Sequence, residues 1–369
     1  MSPFVPFIVV CIIPTGQAKP PADAAVNTLR SGPYALHRLI FVQDRRRGIN
    51  RFEQCEGSRE AACRISPPIA TGFPFNELIP SWNLDVSREA AYRIELRVGR
   101  GGAAWSPWYC FAQRGPWPKR PDGDEVDPVE DDWGELRTDY LICRSPVDHV
   151  QVRLTSRPGA AGRPVTIARF AICYSNTLND KSLWAANRMK PRRVDRAAYT
   201  RRLDVPFQSQ HVADARLQGN ICSPASVAMV LAFRGADAKP DDVARAAYDA
   251  EHDIYGNWPL NVQAAYEFGA PGYVTRFGDW PHVEAVIAAG QPIIASIRDP
   301  EGKLEGTPYP NTTGHLLVIC GFDENGDVLV NDSAGRDAES GRLTYDRRQF
   351  ERAWIDNGGV AYILEARPR

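Results

Sequence analysis

The chain has 369 residues, of which 43% are hydrophobic, and its 44 lysines and arginines nearly balance 45 aspartates and glutamates. This length is sufficient for two domains, each with its own core. The near-neutral charge, with no aromatic residues interleaved in a basic patch, argues against a nucleic-acid-binding protein. No CxxC pair and no HExxH motif occurs in the sequence, so we expect neither a metal site nor a cofactor.

The N-terminal residues resemble a secretory signal. Residues Phe4 to Pro14 are nearly all apolar, and Gly16-Gln17-Ala18 places small residues after them. This pattern predicts a signal peptide over residues 1–18, although the usual basic n-region is missing; a buried N-terminal strand is the alternative. The run is too short for a transmembrane helix. We therefore expect a secreted or cell-envelope protein with no stable membrane insertion after signal removal.

The eight cysteines favour the same compartment. Cys11 would leave with the signal, and Cys222 is a candidate nucleophile for reasons given below. The remaining set has six cysteines, an even number that suits disulfide pairing outside the cytoplasm. It comprises Cys55, Cys63, Cys110, Cys143, Cys173 and Cys320. Cys55 and Cys63 flank a short polar loop and make the best pair, whereas Cys320 is open to the alternative of a buried core thiol.

Residues 34–176 read as a series of short strands. Tyr92–Val98 and Val150–Leu154 alternate polar and apolar residues, as half-buried strands do, and an apolar run covers Val165–Tyr174. Turn residues separate these segments, for example at Gly99-Arg100-Gly101-Gly102 and Pro158-Gly159. Spaced strands with such breaks predict an all-β sandwich, jelly-roll-like in character.

Aromatic residues are abundant in this predicted sandwich: Trp82, Trp105, Trp108, Tyr109, Trp117 and Trp133. Aromatic faces can stack on sugar rings, so one interpretation is a glycan-binding domain with a cell-surface glycan as partner. The other is that these side chains fill the core of the sandwich. The acidic stretch Asp122–Asp132 lacks EF-hand spacing, which favours a solvated loop over a calcium site.

Residues 177–202 carry many lysines and arginines and predict a solvated basic linker containing a short helix, with contact to an anionic wall or membrane as the alternative. The second domain covers residues 203–369. Helices are predicted from Pro240 to about Ala250, from Asn257 to Gly269, from Asp279 to Gly290, and near Asp346–Trp354. Strands are predicted at Gly272–Phe277, Pro292–Ile297 and Val360–Leu364, in addition to the two described below. Helices first and an antiparallel sheet later is the order of an α+β domain.

The most informative stretch begins at Cys222. From Pro224 to Phe233 the residues are nearly all apolar, and Gly235 ends the run, which predicts a buried helix with proline in its first turn. Cys222 then stands at the helix N-terminus, where unpaired N–H groups and the helix dipole lower a thiol pKa and favour the nucleophilic thiolate. The alternative is a small buried cysteine at the start of a core helix.

Two strands further along supply the partners that a cysteine nucleophile needs. His315 opens the apolar run Leu316–Phe322. After a turn containing Asn325-Gly326, Val328–Ser333 is the predicted return strand, and Asp332 lies at its end. A nucleophile requires a base, and the base requires an orienting group. Cys222, His315 and Asp332 fit these roles in that order.

The hairpin register matters for this assignment. A tight two-residue turn at Asn325-Gly326 would place His315 opposite Arg336, and would leave His315 and Asp332 about 13 Å apart along the strand. We therefore predict a bulged or longer hairpin loop. Asn331 and Asp337 are the fallback partners for His315.

Four motifs in order resemble the papain-like cysteine peptidases related to the double-glycine leader (bacteriocin-processing) peptidases. They are Val205-Pro206-Phe207-Gln208-Ser209-Gln210, Cys222-Ser223-Pro224, Gly314-His315-Leu316-Leu317-Val318 and Val330-Asn331-Asp332. The resemblance covers roughly Leu203 to the C-terminus. It implies a papain-like layout, with a cleft between the cysteine helix and the histidine strand. It also implies that an upstream glutamine donates to the oxyanion; Gln210 fits best, with Gln208 and Gln218 as rivals.

The expected function is that of a secreted cysteine peptidase, which hydrolyses peptide or isopeptide bonds of a peptide or protein substrate. The catalytic residues would be Cys222, His315, Asp332 and Gln210, acting through a covalent thioester. Two alternatives remain open: an acyltransferase of transglutaminase type, and an inactive papain-like protein that binds glycan through its sandwich.

Overall fold

A computed structural model of the chain describes residues 32–58, 61–87, 89–117, 129–159, 162–191 and 193–366. The predicted signal at residues 1–18 and most of the acidic stretch lie outside these residues. The chain forms two compact units that divide between Met189 and Lys190, with Tyr273–Thr275 grouped with the N-terminal unit. No helix in the described ranges is long and apolar enough to cross a membrane.

The N-terminal unit is built from antiparallel strands. They are β1 (Leu36–Asp44), β2 (Ile49–Asn50), β3 (Glu53–Ser58), β4 (Ala61–Ile65), β5 (Ile69–Asp85), β6 (Ala91–Arg100), β7 (Ala104–Trp105), β8 (Tyr109–Arg114), β9 (Gly134–Arg137), β10 (Tyr140–Arg157) and β11 (Thr166–Asn176). Their order is β2-β1-β11-β5-β10-β4-β3, with β6 and β9 also pairing with β10, and β7 and β8 pairing with β6. The prediction of an all-β N-terminal domain is confirmed.

Two of these strands are much longer than the short strands that the sequence predicts. The predicted strand Val150–Leu154 is only the last part of β10, which begins at Tyr140. A shift in the pairing of β10 with β5, between Ile142 and Val147, interrupts the alternation there, and Pro146 lies inside it. Proline lacks the N–H that a regular ladder needs. The polar–apolar alternation is therefore interrupted at Pro146, although the strand itself continues through it.

Strand β6 is buried on both faces, although its alternation predicts a half-buried strand. Its apolar residues Ile94, Leu96 and Val98 lie in the core. On the opposite face Glu95 is also buried, because Arg153 of β10 donates to both of its carboxylate oxygens at 2.7 and 2.8 Å. An ion pair with two hydrogen bonds offsets the desolvation that a lone buried carboxylate would suffer.

The tryptophans of this domain differ in how deeply they are buried. Trp82 is fully buried in the core. Trp105, Trp108, Trp117 and Trp133 are half-buried, and an arginine guanidinium lies 4.4 to 5.7 Å from the ring centroid of each. Cation–π contacts of this kind are worth about 0.5–1 kcal/mol at exposed sites. One ring face of each half-buried tryptophan is therefore already in contact with protein.

The predicted disulfide between Cys55 and Cys63 is confirmed, and it joins directly opposed residues of the β3–β4 hairpin. Cys320 lies in the core of the C-terminal unit, as the alternative for that residue expected. Burial raises the pKa of its thiol to about 12, so Cys320 stays protonated at neutral pH.

The C-terminal unit combines helices with a second antiparallel sheet. Helix α1 (Lys181–Asn187) belongs to the N-terminal unit. The helices of the C-terminal unit are α2 (Arg196–Tyr199), α3 (Cys222–Phe233), α4 (Pro240–Ala247), α5 (Trp258–Glu267), α6 (Trp280–Ala288), α7 (Ala338–Gly341) and α8 (Arg347–Ala353). The strands are β12 (Arg201–Arg202), β13 (Gly272–Arg276), β14 (Ile293–Asp299), β15 (Thr312–Phe322), β16 (Val328–Asn331), β17 (Arg342–Tyr345) and β18 (Val360–Leu364). The order is β13-β18-β14-β15-β16-β17, with β12 beside β15.

These elements match the α+β prediction closely. Helix α4 ends at Ala247, three residues early, because the Asp249 carboxylate accepts from the Glu251 N–H and the Asn257 amide and stabilises a turn there. The short elements α7 and β17, each of four residues, were not predicted. They matter because β17 contributes a side chain to the candidate site.

The β15–β16 hairpin has both a bulge and a loop longer than two residues. Its loop spans five residues, 323–327, and a bulge lies between Ile319 and Gly321. At the bulge, Gly321 has a φ of +154°, and an added Cβ would lie 1.7 Å from the Arg201 carbonyl oxygen. Only glycine fits such a close approach. The prediction of a bulged or longer hairpin loop is confirmed.

Candidate active site

Cys222 is the first residue of α3, and the helix is as buried as the sequence predicts. Pro224 stands in the first turn, and every residue from Cys222 to Leu231 is buried. Cys222 itself is 2% exposed. Because the helix is apolar on all sides, it is buried inside the domain. Core packing, and not a surface loop, therefore sets the position of the sulfur.

Two serines of α3 hydrogen-bond to the sheet. The Ser226 hydroxyl donates to the Leu316 carbonyl oxygen at 3.1 Å, one residue after His315. The Ser223 hydroxyl lies 3.0 Å from the Tyr362 hydroxyl on β18. Because Ser226 is one helical turn beyond Cys222, its bond to β15 brings the start of α3 next to the start of the histidine strand.

The candidate cysteine, histidine and aspartate form one connected line of side chains. The His315 Nε2 atom lies 2.7 Å from Asp332 Oδ1, and both residues are buried. The imidazole also hydrogen-bonds with the Cys222 side chain. Since Nε2 faces the carboxylate, Nδ1 is the ring nitrogen left for the thiol.

Asp332 receives more donors than the histidine alone. The Ala334 N–H donates to Oδ1 at 3.0 Å, and the hydroxyls of Tyr309 and Tyr345 donate to Oδ2 at 3.0 and 2.9 Å. The Tyr309 ring also packs edge-on against the His315 ring, with centroids 4.9 Å apart. A buried carboxylate with four donors is fully satisfied and held in one orientation.

This arrangement shifts the pKa values of both partners. Burial alone lowers the pKa of His315, but the charge and hydrogen bond of Asp332, together with Cys222, outweigh burial and raise it to about 10. Burial raises the pKa of Asp332, yet His315, the Ala334 N–H and the Tyr345 hydroxyl together hold it below its usual value. Both directions favour an imidazolium–carboxylate pair at neutral pH.

The three glutamines differ in what their amide nitrogens contact. Gln208 Nε2 donates to the carbonyl oxygens of Ala228 and Ala238, and Gln218 Nε2 donates to that of Val212. Gln210 is fully buried, and its Nε2 has no hydrogen-bond partner among the described residues. Of the three, only Gln210 therefore has a buried amide N–H₂ available to a ligand.

The fallback partners for His315 are engaged elsewhere. The Asn331 amide donates to the Val205 carbonyl oxygen, and Asp337 caps α7 through the Ser340 N–H. His211 lies 3.0 Å from the Ala334 carbonyl oxygen, close to the Asp332 turn. The groups that sequence reasoning missed are Tyr309 and Tyr345, for which no local pattern gives a signal.

Replacing Tyr345 with phenylalanine is expected to destabilise the C-terminal domain. The change removes one of two donors to Asp332 Oδ2 and leaves that oxygen buried, which costs about 1.5–3 kcal/mol for a hydrogen bond to a charged group. Urea denaturation measures the loss. Tyr248→Phe is the matched control, because the Tyr248 hydroxyl donates to an exposed Asp253 carboxylate at 2.7 Å. Equal effects of the two changes would contradict the prediction.

Comparison with known families agrees with this geometry. Residues 202–362 match the Peptidase C39 like family, and residues 41–175 match a Peptidase C39 N-terminal domain. The first match contains α3, β15 and β16, and so includes Cys222, His315 and Asp332. This chain belongs to the C39-related family of papain-like cysteine peptidases and carries a C39-type N-terminal domain. The predicted family and the predicted fold class are both confirmed.

Other comparisons add nothing to the C39 assignment. No curated protein matches the chain. One solved structure, that of the infectious bursal disease virus Gx strain, has 5% identity and a TM-score of 0.22, and the match covers 40% of this chain and 33% of the viral one. A similarity at that level supports no argument about this chain. Among the described residues, no group of three or more His, Cys, Asp or Glu side chains is arranged to hold a metal ion.

Proposed function

We propose that the chain is an active, extracytoplasmic cysteine peptidase that cleaves peptide or isopeptide bonds through Cys222, His315 and Asp332. The observation that carries the proposal is the buried, hydrogen-bonded line from the Cys222 side chain through His315 to Asp332. The same three residue types in this arrangement serve nucleophilic catalysis on unrelated folds. The Cys55–Cys63 disulfide supports a location outside the cytoplasm.

The reaction proceeds by acyl transfer to sulfur. At neutral pH the Cys222 proton already resides on His315, as an imidazolium–thiolate pair, and the thiolate attacks the carbonyl carbon of the scissile bond, giving a tetrahedral oxyanion. The Cys222 backbone N–H and the Gln210 side-chain amide donate to this oxygen. His315 then protonates the leaving amine, and the tetrahedral intermediate collapses to a thioester. Water, deprotonated by His315, hydrolyses the thioester and restores the thiol.

Each remaining group has a defined part in this scheme. Asp332 holds the imidazole with Nδ1 toward sulfur and stabilises the imidazolium that forms. The tyrosine hydroxyls keep that carboxylate ionised and fixed. Substrate can approach beside the histidine, because a Cβ built on Gly314 would meet open space among the described residues.

The decisive experiment is thiol labelling of the intact protein. An epoxide inhibitor of papain-like peptidases and iodoacetamide are each expected to modify Cys222 far faster than Cys320, whose pKa is raised to about 12 by burial. Peptide mapping locates the label, and a peptide library then defines cleavage. Absence of labelling at Cys222 would favour the inactive, glycan-binding alternative. Product that forms only with added amine would favour a transferase.

A further inference from the structure

The buried amide of Gln210 is an unusual feature of the site. Its side chain is fully buried, and its Nε2 atom has no hydrogen-bond partner within the described part of the chain. A buried donor left unpaired destabilises the folded protein, because its desolvation is not offset by a hydrogen bond. A donor retained at that cost in a candidate oxyanion site is poised for an acceptor that arrives with the substrate.

The other end of the same amide is firmly held. The Ser333 hydroxyl donates to Gln210 Oε1 at 3.0 Å, and the Gln210 backbone N–H donates to the Ser333 carbonyl oxygen at 2.8 Å. Ser333 is itself fully buried and directly follows Asp332. The two residues after β16, Asp332 and Ser333, therefore contact the imidazole of His315 and the amide of Gln210, respectively.

We propose that Ser333 is a positioning residue that orients the Gln210 amide so that its N–H₂ group, and not its oxygen, faces the oxyanion. This inference rests on the proposed function. A side-chain amide has a donor and an acceptor of nearly the same shape, and a half-turn about its last torsion exchanges them. With the oxygen turned toward the site, the amide would repel the developing negative charge. The Ser333 hydroxyl favours the productive orientation because it donates to Oε1.

The main test is Ser333→Ala. The backbone bond to Gln210 remains, so the variant removes only the hydroxyl that orients the amide. Loss of a whole oxyanion donor lowers kcat about 10²–10³-fold, and an amide that is present but free to turn is expected to lower kcat about tenfold with KM little changed. Alkylation of Cys222 by iodoacetamide should keep its wild-type rate, since displacement of iodide at a methylene carbon forms no oxyanion.

A double-mutant cycle with Gln210→Ala gives the second readout. Once the amide is absent, Ser333→Ala is expected to reduce kcat no further. Ser66→Ala is the matched control, because it removes a buried serine hydroxyl in the N-terminal domain that accepts from the Val152 N–H. If the alanine variant does not fold, Ser333→Gly removes the same hydroxyl.

The outcomes separate this inference from the proposed function. A fall in alkylation rate equal to the fall in kcat, or additive losses in the cycle, would overturn the role of Ser333 while leaving the peptidase intact. A wild-type protein without turnover and without alkylation at Cys222 would overturn the proposed function instead. A tenfold, oxyanion-specific loss that disappears in the Gln210→Ala background would support both.

Discussion

Replacing Cys222 with alanine is expected to abolish turnover and to leave the fold unchanged. Cys222 is the nucleophile of the proposed mechanism, and loss of the nucleophile alone lowers kcat about 10⁶-fold in a well-studied serine protease. The substitution shortens a buried side chain at the first position of α3, where alanine is a good helix former. The fold is therefore expected to stay intact.

The measurement pairs a peptide-cleavage assay with thermal unfolding. Cys320→Ala is the matched control, because it removes a buried thiol of the same domain that lies outside the Cys222–His315–Asp332 line. Turnover should be retained in the control and lost in Cys222→Ala. Cleavage activity and iodoacetamide labelling that both persist in Cys222→Ala would refute the assignment of the nucleophile.

Asp332→Asn is expected to lower kcat about 10⁴-fold, by analogy with the effect of this change in a serine protease. All four donors to Asp332 point at carboxylate oxygens. In the variant, the asparagine N–H₂ group replaces one of these two oxygens. It then faces either the two tyrosine hydroxyls or the imidazole and the Ala334 N–H. In the second case the imidazole proton moves to Nδ1, and His315 can no longer accept the thiol proton.

The protonation of His315 reports this change directly. In the wild-type protein its titration midpoint, followed by NMR of labelled histidine, should lie well above 6.5, because the pKa is raised to about 10. Without the carboxylate charge, only Cys222 still opposes the effect of burial on the ring, so the midpoint should fall in Asp332→Asn. Asp337→Asn is the control, since Asp337 caps α7 and asparagine caps as well. An unmoved midpoint would show that Asp332 does not set the charge state of His315.

The same pair makes stability depend on pH. The pKa of His315 is raised from 6.5 to about 10, so its contribution is complete below pH 6.5 and is lost as the pH rises toward 10. The pKa of Asp332 is lowered from 3.8, so its contribution is complete above pH 3.8 and is lost as the pH falls through the lowered value. Denaturation midpoints should show this optimum in the wild-type protein and a flatter profile in Asp332→Asn.

Local patterns predicted the parts of the site that lie in regular elements. A buried helix that begins at Cys222, a strand that begins near His315 and an aspartate after the next strand each have a period or a boundary in the sequence. The need for a bulged or longer hairpin loop followed from strand geometry alone, because the side-chain period of a strand is fixed. These inferences use residues close together in the chain.

The remaining groups could not be predicted for the opposite reason. Tyr309 lies in a loop before β15, and Tyr345 ends a four-residue strand, so neither belongs to a segment long enough to show a period. Their hydroxyls reach Asp332 across 23 and 13 residues of chain. The choice among Gln208, Gln210 and Gln218 likewise depended on which amide nitrogen is already bonded, which only a three-dimensional structure shows.

The bulge at Gly321 limits how this hairpin can change during evolution. It lies between the five-residue loop and the paired segment that leads to His315 and Asp332. Insertions in the loop only lengthen a solvent-side connection, which is thermodynamically inexpensive. Loss of the extra residue at the bulge would instead shift β15 by one position and turn the imidazole to the other side of the sheet. A relative with a longer loop can therefore keep the His315–Asp332 arrangement. A relative that has lost the bulge would still fold but would lack that arrangement.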